Sequence, residues 1–133
     1  MAGRAYHRYP VQLKVKLRKL EETSIEIDAT VVVVSFSGLG IIVGQELQSG
    51  SLISIECKNP PFYFEGEPVV RGTVVDVMKL EEGDGLFRLG VKFLDQDPSL
   101  IQSLLNWAIM RSRTQKRAQI SGKPSERQKR IRF

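Results

Sequence analysis

Apolar and polar residues alternate along much of the chain with a period of two, which is typical of strands with one buried face. The clearest case is residues 11–18, where every second side chain is apolar. Further alternating or valine-rich runs lie at 30–34, 41–43, 51–56, 69–80 and 86–94. Turn-forming residues separate these runs, and no helical pattern lies between them. The pattern predicts a mainly β domain of about six short strands, folded as an antiparallel barrel or sandwich.

The periodicity changes after Gln96. Asp97 can cap a helix, and Pro98 suits the first helical position. Apolar residues then recur at helical spacing and form one stripe: Leu100, Ile101, Leu104, Leu105, Ala108 and Ile109. We therefore expect one C-terminal amphipathic α-helix that packs across the barrel and ends near Met110, and the sequence leaves open a continuation into residues 111–118.

Charge divides the chain into a body and a tail. The formal net charge of +5 combines −3 over residues 1–110 with +8 over residues 111–133. We expect an N-terminal arm at 1–10, a barrel with its helix at 11–110, and a basic, flexible tail at 111–133, of which about the last dozen residues are disordered. A basic tail can bind nucleic acid, an anionic membrane or an acidic protein. We favour a solubilising role, because no aromatic side chain precedes Phe133 in the tail to stack on bases.

The composition argues against an enzyme. A single histidine, His7, and a single cysteine, Cys57, exclude an internal disulfide framework and a zinc site built on clustered Cys or His residues. They also exclude most Ser-His-Asp and Cys-His chemistry, since His7 lies in a charged N-terminal stretch with no evident partner. The carboxylates cluster in predicted turns, where solvated charge is expected. We expect no catalytic residue, no cofactor and no metal. No apolar run approaches the roughly 20 residues that span a bilayer, and the polar N-terminus lacks a signal peptide, so a cytoplasmic location is expected.

Two short motifs stand out. Arg4 and Arg8 lie four residues apart before the first predicted strand. A guanidinium group forms paired hydrogen bonds with phosphate and can also stack on a purine. Taken alone, two arginines in a terminal segment are explained as solvated charge.

The second motif interrupts the valine-rich run that follows. Ser35 and Ser37 offer hydroxyl groups to a polar ligand, while Gly38 and Gly40 let the backbone bend and let a ligand approach closely. Taken alone, this segment is explained as a hairpin turn or bulge.

In combination, the motifs resemble the PilZ domain family. The order is Arg-x-x-x-Arg, then Ser-x-Ser-x-x-Gly, then a last strand containing Leu-Gly-Val-Lys-Phe at 89–93, followed by a helix. The resemblance extends from Arg4 to about Met110. It implies a six-stranded antiparallel β-barrel that binds cyclic di-GMP, a bacterial second messenger, and that signals to a partner protein in the control of motility, adhesion or biofilm formation.

The resemblance also implies roles for individual residues. Arg4 and Arg8 match the family's arginines, which hold phosphates and guanine. Ser37 and Gly40 match the serine and glycine of the second motif, and Gly38 lies between them.

Two positions depart from the family pattern. Ser35 stands where the family has Asp or Asn, and loss of a charge-assisted contact costs roughly 1.5–3 kcal/mol, or about one to two decades of affinity. Gly3 stands where many members carry a further arginine, so the number of ligand molecules bound stays open.

Three hypotheses follow. The first is a cyclic di-GMP receptor that binds through Arg4, Arg8 and the serine-glycine motif. The second is a degenerate family member that has lost the ligand and serves as a protein-interaction module, which the serine at position 35 favours. The third is a nucleic-acid-binding barrel that uses the basic tail. We place the third last, because the body is acidic and its strands lack a stripe of exposed aromatic residues.

Overall fold

A computed structural model describes residues 7–81, 85–94 and 98–121, with side chains as far as residue 113. Six strands precede one helix: β1 (Arg8–Lys19), β2 (Glu22–Ser35), β3 (Gly38–Val43), β4 (Leu52–Glu56), β5 (Val69–Lys79), β6 (Phe87–Phe93) and α1 (Pro98–Ser121). All neighbouring strands are antiparallel, and they close into a barrel in the order β1-β2-β3-β6-β5-β4. The predicted mainly β fold with a C-terminal helix is confirmed, as a barrel and not as a sandwich.

The alternating pattern of the strands produces the core. On β1, every second side chain from Val11 to Leu17 points inward and is buried. The same parity holds on β3 and β6, whose odd-numbered residues fill the barrel. Residues at the intervening positions therefore lie on the outer face of the sheet. This parity decides which side chains reach a ligand on the outside of the barrel.

The first two strands are longer than the sequence pattern predicts. β1 begins at Arg8, because residues 8–10 pair with Val33, Val34 and Ser35 of β2. Pro10 is tolerated there because β4 pairs with β1 only at residues 16–19, so one edge of β1 needs no amide donor at Pro10. Arg8 is consequently part of the barrel and not of a preceding arm.

The helix packs against the barrel core, beside β1 and β2. Leu100, Ile101, Leu104 and Ala108 are buried against the core, and the Trp107 ring lies 6.3 Å from the Phe62 ring. Pro98 begins the helix as predicted, and Asp97 lies outside the described residues.

The helix continues past the expected end near Met110 as far as Ser121. The first part of the predicted flexible tail is therefore helical. The reason is local, because residues 111–121 contain no glycine or proline, and Gly122 is the first helix breaker. Residues 122–133, including the segment predicted to be disordered, lie outside the described residues. In the described part of the chain, no helix combines the length and apolar character needed to cross a bilayer.

Candidate functional site

The turn between β2 and β3 is built around a buried serine hydroxyl. Ser35 is 8% exposed, and its Oγ accepts a hydrogen bond from the backbone N–H of Gly38 at 3.2 Å. The same Oγ lies 3.3 Å from the Gly38 carbonyl oxygen and 3.3 Å from the Ser37 Oγ. Phe36 and Ser37 form the exposed tip. A serine at this position satisfies a backbone donor that the tight turn would otherwise leave unpaired.

Gly38 and Gly40 lie within β3. The close approach of neighbouring atoms explains these two glycines better than a bend of the backbone does. Neither has a positive φ. A Cβ at Gly38 would lie 2.0 Å from the Val91 carbonyl oxygen of the neighbouring strand. A Cβ at Gly40 would lie 3.1 Å from a guanidinium nitrogen of Arg88. The sequence expectation of a glycine-bent corner is therefore corrected: β3 resumes at Gly38, and the bend is confined to Phe36 and Ser37.

The two sequence motifs meet beside one depression on the barrel surface. Arg8 on β1 is the cross-strand partner of Ser35 on β2, so the end of the first motif adjoins the start of the second. Arg8, Ser35, Ser37 and Gly38 all line a depression of about 490 Å³. That volume lies within the roughly 300–1,000 Å³ typical of small-molecule sites.

The remaining predicted residues are placed differently. Gly40 lies two residues along β3 from Gly38 and pairs with Val33, which lines the depression. Arg4 lies outside the described residues. The depression thus brings together four of the six predicted residues, with Gly40 at its margin.

The wall opposite Arg8 is formed by residues that the motifs did not indicate. Lys92 on β6 and Val75 and Asp76 on β5 line the same depression. Lys92 is the cross-strand partner of Gly38, so its position follows directly from the pairing of β3 with β6. Asp76 is brought to the outer face by a register shift between Val74 and Asp76 in the pairing of β5 with β6. Arginine and lysine next to backbone and hydroxyl donors suit an anionic, hydrogen-bonding ligand.

Most charged groups of β1, β2 and β4 are used in cross-strand ion pairs. Lys16 bonds to Asp28, and Arg18 bonds to Glu26 and, at 3.1 Å, to Glu56. The hydrogen bond from Lys16 lowers the pKa of the Asp28 carboxyl, and Asp28 in turn raises the pKa of Lys16. These pairs do not line the depression beside Arg8.

The single histidine and cysteine lie elsewhere. His7 is exposed, with its ring 6.2 Å from the Tyr9 ring. Cys57 is a buried core residue, and burial raises the pKa of its thiol. Among the described residues, no group of three or more His, Cys, Asp or Glu side chains is arranged to hold a metal ion.

The chain resembles known proteins in sequence profile and in structure. The PilZ domain family model matches residues 3–109. The PilZ domain of YcgR from Escherichia coli, solved with c-di-GMP, superposes with a TM-score of 0.65 at 16% identity, covering 90% of this chain and 98% of that domain. The motility inhibitor MotI/DgrA of Bacillus subtilis gives a TM-score of 0.63 at 19% identity, covering 81% of this chain and 50% of that protein.

Two further findings set the scope of these similarities. The crystal structure of E. coli YcgR with c-di-GMP gives a TM-score of 0.59 at 16% identity, covering 88% of this chain and 50% of the other. The chain thus spans about half the length of that protein and of MotI/DgrA. A search of curated protein sequences finds no match. Structural likeness at these identities establishes the fold, and the family match over residues 3–109 establishes that the chain belongs to the PilZ domain family.

Proposed function

We propose that this domain is a bacterial, cytoplasmic receptor for cyclic di-GMP that binds the dinucleotide in the depression beside Arg8. The observation that carries the proposal is the pairing of Arg8 with Ser35, which unites the Arg-x-x-x-Arg and Ser-x-Ser-x-x-Gly motifs at one surface. Family membership and the solved YcgR complexes with c-di-GMP support the same ligand.

The chemistry of the depression matches that of the ligand. Cyclic di-GMP carries two phosphate charges and two flat purine bases. Guanidinium groups form bidentate bonds with phosphate and stack on purines, which assigns Arg8, together with Arg4, to these contacts. The Ser37 hydroxyl provides a polar contact on the barrel side, while Gly38 and Gly40, which lack side chains, let the ligand approach the outer face of β3 closely.

Binding in this proposal signals without a chemical step. Arg4 precedes the barrel, whereas Arg8 is fixed within it by its pairing with Ser35. A ligand that contacts both would favour the arrangement in which the N-terminal segment lies against the depression. A receptor shifts its population by the difference in ligand affinity between its two states. A partner protein would then bind the rearranged surface.

Calorimetric titration with cyclic di-GMP tests the proposal. The unchanged protein should bind, and Arg8→Ala should weaken binding at least tenfold, because a hydrogen bond to a charged group contributes roughly 1.5–3 kcal/mol. Arg113→Ala is the matched control, since Arg113 is exposed on α1 and lies outside the depression. Absence of binding by the unchanged protein, or equal affinities for the two variants, would contradict the proposed site.

A degenerate interaction module remains the second candidate, and two observations favour it. The Ser35 hydroxyl is already bonded within its own turn. In addition, Phe36 and Val75, at the turn and on the opposite wall, are 51% and 53% exposed. Exposed apolar side chains at these two positions suit contact with a protein surface. A folded protein that shows no heat of binding with cyclic di-GMP would support this candidate over the receptor.

A further inference from the structure

Two glycines face each other on the outside of the barrel, next to the proposed ligand site. Gly40 on β3 and Gly90 on β6 are cross-strand partners. Their neighbours Leu39, Ile41 and Leu89 point into the core, so both glycines face outward. A directly opposed pair in an antiparallel ladder has its Cα atoms about 4.5–5.5 Å apart. The ladder therefore has a small area without side chains at this point.

The missing side chains allow two opposite charges to approach this area. A guanidinium nitrogen of Arg88 lies 3.1 Å from the position that a Cβ of Gly40 would take. The Cβ of Asp76 lies 3.1 Å from the corresponding position at Gly90. The guanidinium of Arg88, a residue of β6, thus lies over Gly40 on the β3 side, and Asp76 lies on the β5 side of the same glycine pair, which we call the glycine patch.

The two charges do not neutralise each other. Within the described ranges, no ion pair joins Arg88 to Asp76, and neither side chain has another hydrogen-bond or ion-pair partner. Arg88 is half-buried, which makes an unpaired guanidinium there more costly than one in open solvent. Asp76 lines the depression that also contains Arg8 and Ser35. A ligand that donates hydrogen bonds along one edge and accepts them along another would satisfy both groups.

Guanine has these two edges. Its O6 and N7 accept a bidentate bond from arginine, and its N1–H and 2-amino groups donate two parallel bonds that a carboxylate can accept. Adenine has a donor group beside N7 and no 2-amino group. It therefore matches both Arg88 and Asp76 less well than guanine does. The glycine patch thus presents a complementary partner to each recognition edge of a single guanine base.

On the basis of the proposed function, we infer that the glycine patch is a guanine-recognition site, in which Asp76 binds the N1–H and 2-amino edge and Arg88 binds O6 and N7. Asp76, on β5, adds a carboxylate to the site from outside the two motifs. Specificity for guanine then resides in residues outside both sequence motifs.

The test compares cyclic di-GMP with its inosine analogue, which lacks only the 2-amino groups, by calorimetry on the full chain. The unchanged protein should bind cyclic di-GMP at least tenfold more tightly than the analogue. Asp76→Ala should weaken both ligands, since both keep N1–H, but should weaken cyclic di-GMP more and so reduce this preference to about twofold or less. Arg88→Met should weaken both ligands by a similar factor of about ten, because both keep O6 and N7.

Controls separate recognition from folding. Glu46→Ala, an exposed carboxylate in the loop between β3 and β4, should change neither affinity. The urea midpoints of all the variants establish that each is folded. If the unchanged protein binds cyclic di-GMP and Asp76→Ala keeps the preference for it, the inference is overturned while the receptor function stands. If the unchanged protein binds neither dinucleotide, the receptor function and the inference both fail.

Discussion

Gly38 and Gly40 stand two residues apart on β3, yet a methyl group would meet a different obstacle at each. At Gly38 the obstacle is the backbone carbonyl of Val91, which is held in the β3–β6 ladder and cannot move aside. At Gly40 it is the end of the Arg88 side chain, which can rotate away. The first glycine is therefore required by the fold, and the second by what lies on its surface.

Gly38→Ala should lower the free energy of unfolding by about 1–3 kcal/mol, the usual range for overpacking, because its Cβ would lie 2.0 Å from a backbone oxygen. Urea unfolding followed by circular dichroism measures this. Gly44→Ala is the matched control, since no atom lies within 4 Å of its Cβ position. Equal stability of the two variants would show that β3 adapts at Gly38.

Ser35→Asp should tighten cyclic di-GMP binding by about 10- to 100-fold, because a carboxylate opposite Arg8 restores a charge-assisted contact of roughly 1.5–3 kcal/mol. The carboxylate can also accept the Gly38 N–H that the serine hydroxyl now accepts. Calorimetry against the unchanged protein measures the gain. Weaker binding by Ser35→Asp would mean that this turn does not contact the ligand through residue 35.

Among the elements, β1 has the largest electrostatic role. Arg18 bridges β2 and β4 through Glu26 and Glu56, while Lys58, beyond the end of β4, also contacts Glu26 at 2.9 Å. Cross-strand pairs of opposite charge favour one register over its neighbours. This network lies where β1 pairs with β2 on one side and with β4 on the other, so it supports closure of the barrel.

The network predicts a loss of stability in acid. The Lys58 hydrogen bond lowers the pKa of Glu26, and the Lys16 hydrogen bond lowers the pKa of Asp28. A carboxyl whose pKa is lower in the folded state stabilises the folded protein fully at pH values above its pKa in the unfolded chain, which is about 4. This stabilisation is lost as the pH falls through the lower pKa of the folded state. The difference between the urea midpoints at pH 7 and pH 3 should therefore be smaller in the double variant Asp28→Asn/Glu26→Gln than in the unchanged protein. If both proteins lose the same stability between pH 7 and pH 3, these ion pairs do not explain the loss.

The element order was predictable because period-two alternation survives wherever a strand has one face in the core. The prediction of strand ends failed, because the pairing with neighbouring strands determines where each strand begins and ends. Residues 8–10 carry no alternation, and they join β1 only because β2 extends beside them. The sequence left the continuation of α1 past Met110 open, because a polar helix end carries no apolar stripe.

The part of the proposed site that lies within the two motifs could be predicted from the sequence. Arg8 belongs to one short motif, and Ser35 and Ser37 belong to the other, so each can be found within a few residues of chain. Asp76 and Arg88 become neighbours of Gly40 and Gly90 only when β5, β6 and β3 pair, and a register shift on β5 sets the position of Asp76. Spacing along the chain gives no signal for such an arrangement.

At the scale of the whole molecule, the proposed binding site and the most basic segment belong to different parts of the chain. The proposed site lies on the barrel, whereas residues 122–133 carry five basic residues and one acidic residue. We favour a solubilising role for this segment. Its charge also permits weak, nonspecific binding to duplex DNA through phosphate contacts.

Deletion of residues 122–133 should leave the affinity for cyclic di-GMP within about twofold, since the described residues that line the depression belong to the strands and to the turn between β2 and β3. Any binding of the full chain to duplex DNA, followed by fluorescence anisotropy, should decline steeply with added salt and weaken further in the shortened chain. A tenfold loss of cyclic di-GMP affinity on deletion would instead make this segment part of the ligand site.

The location of the ligand is the central claim, and amide chemical-shift mapping tests it most directly. Cyclic di-GMP added to ¹⁵N-labelled protein should shift the amide signals of Ser37, Gly38, Gly40, Gly90 and Lys92, which belong to β3, β6 and the turn beside Arg8. Amides of the loop at 44–50 and of the exposed face of α1 should stay in place. Unchanged spectra, or shifts confined to that loop and the helix, would contradict the account.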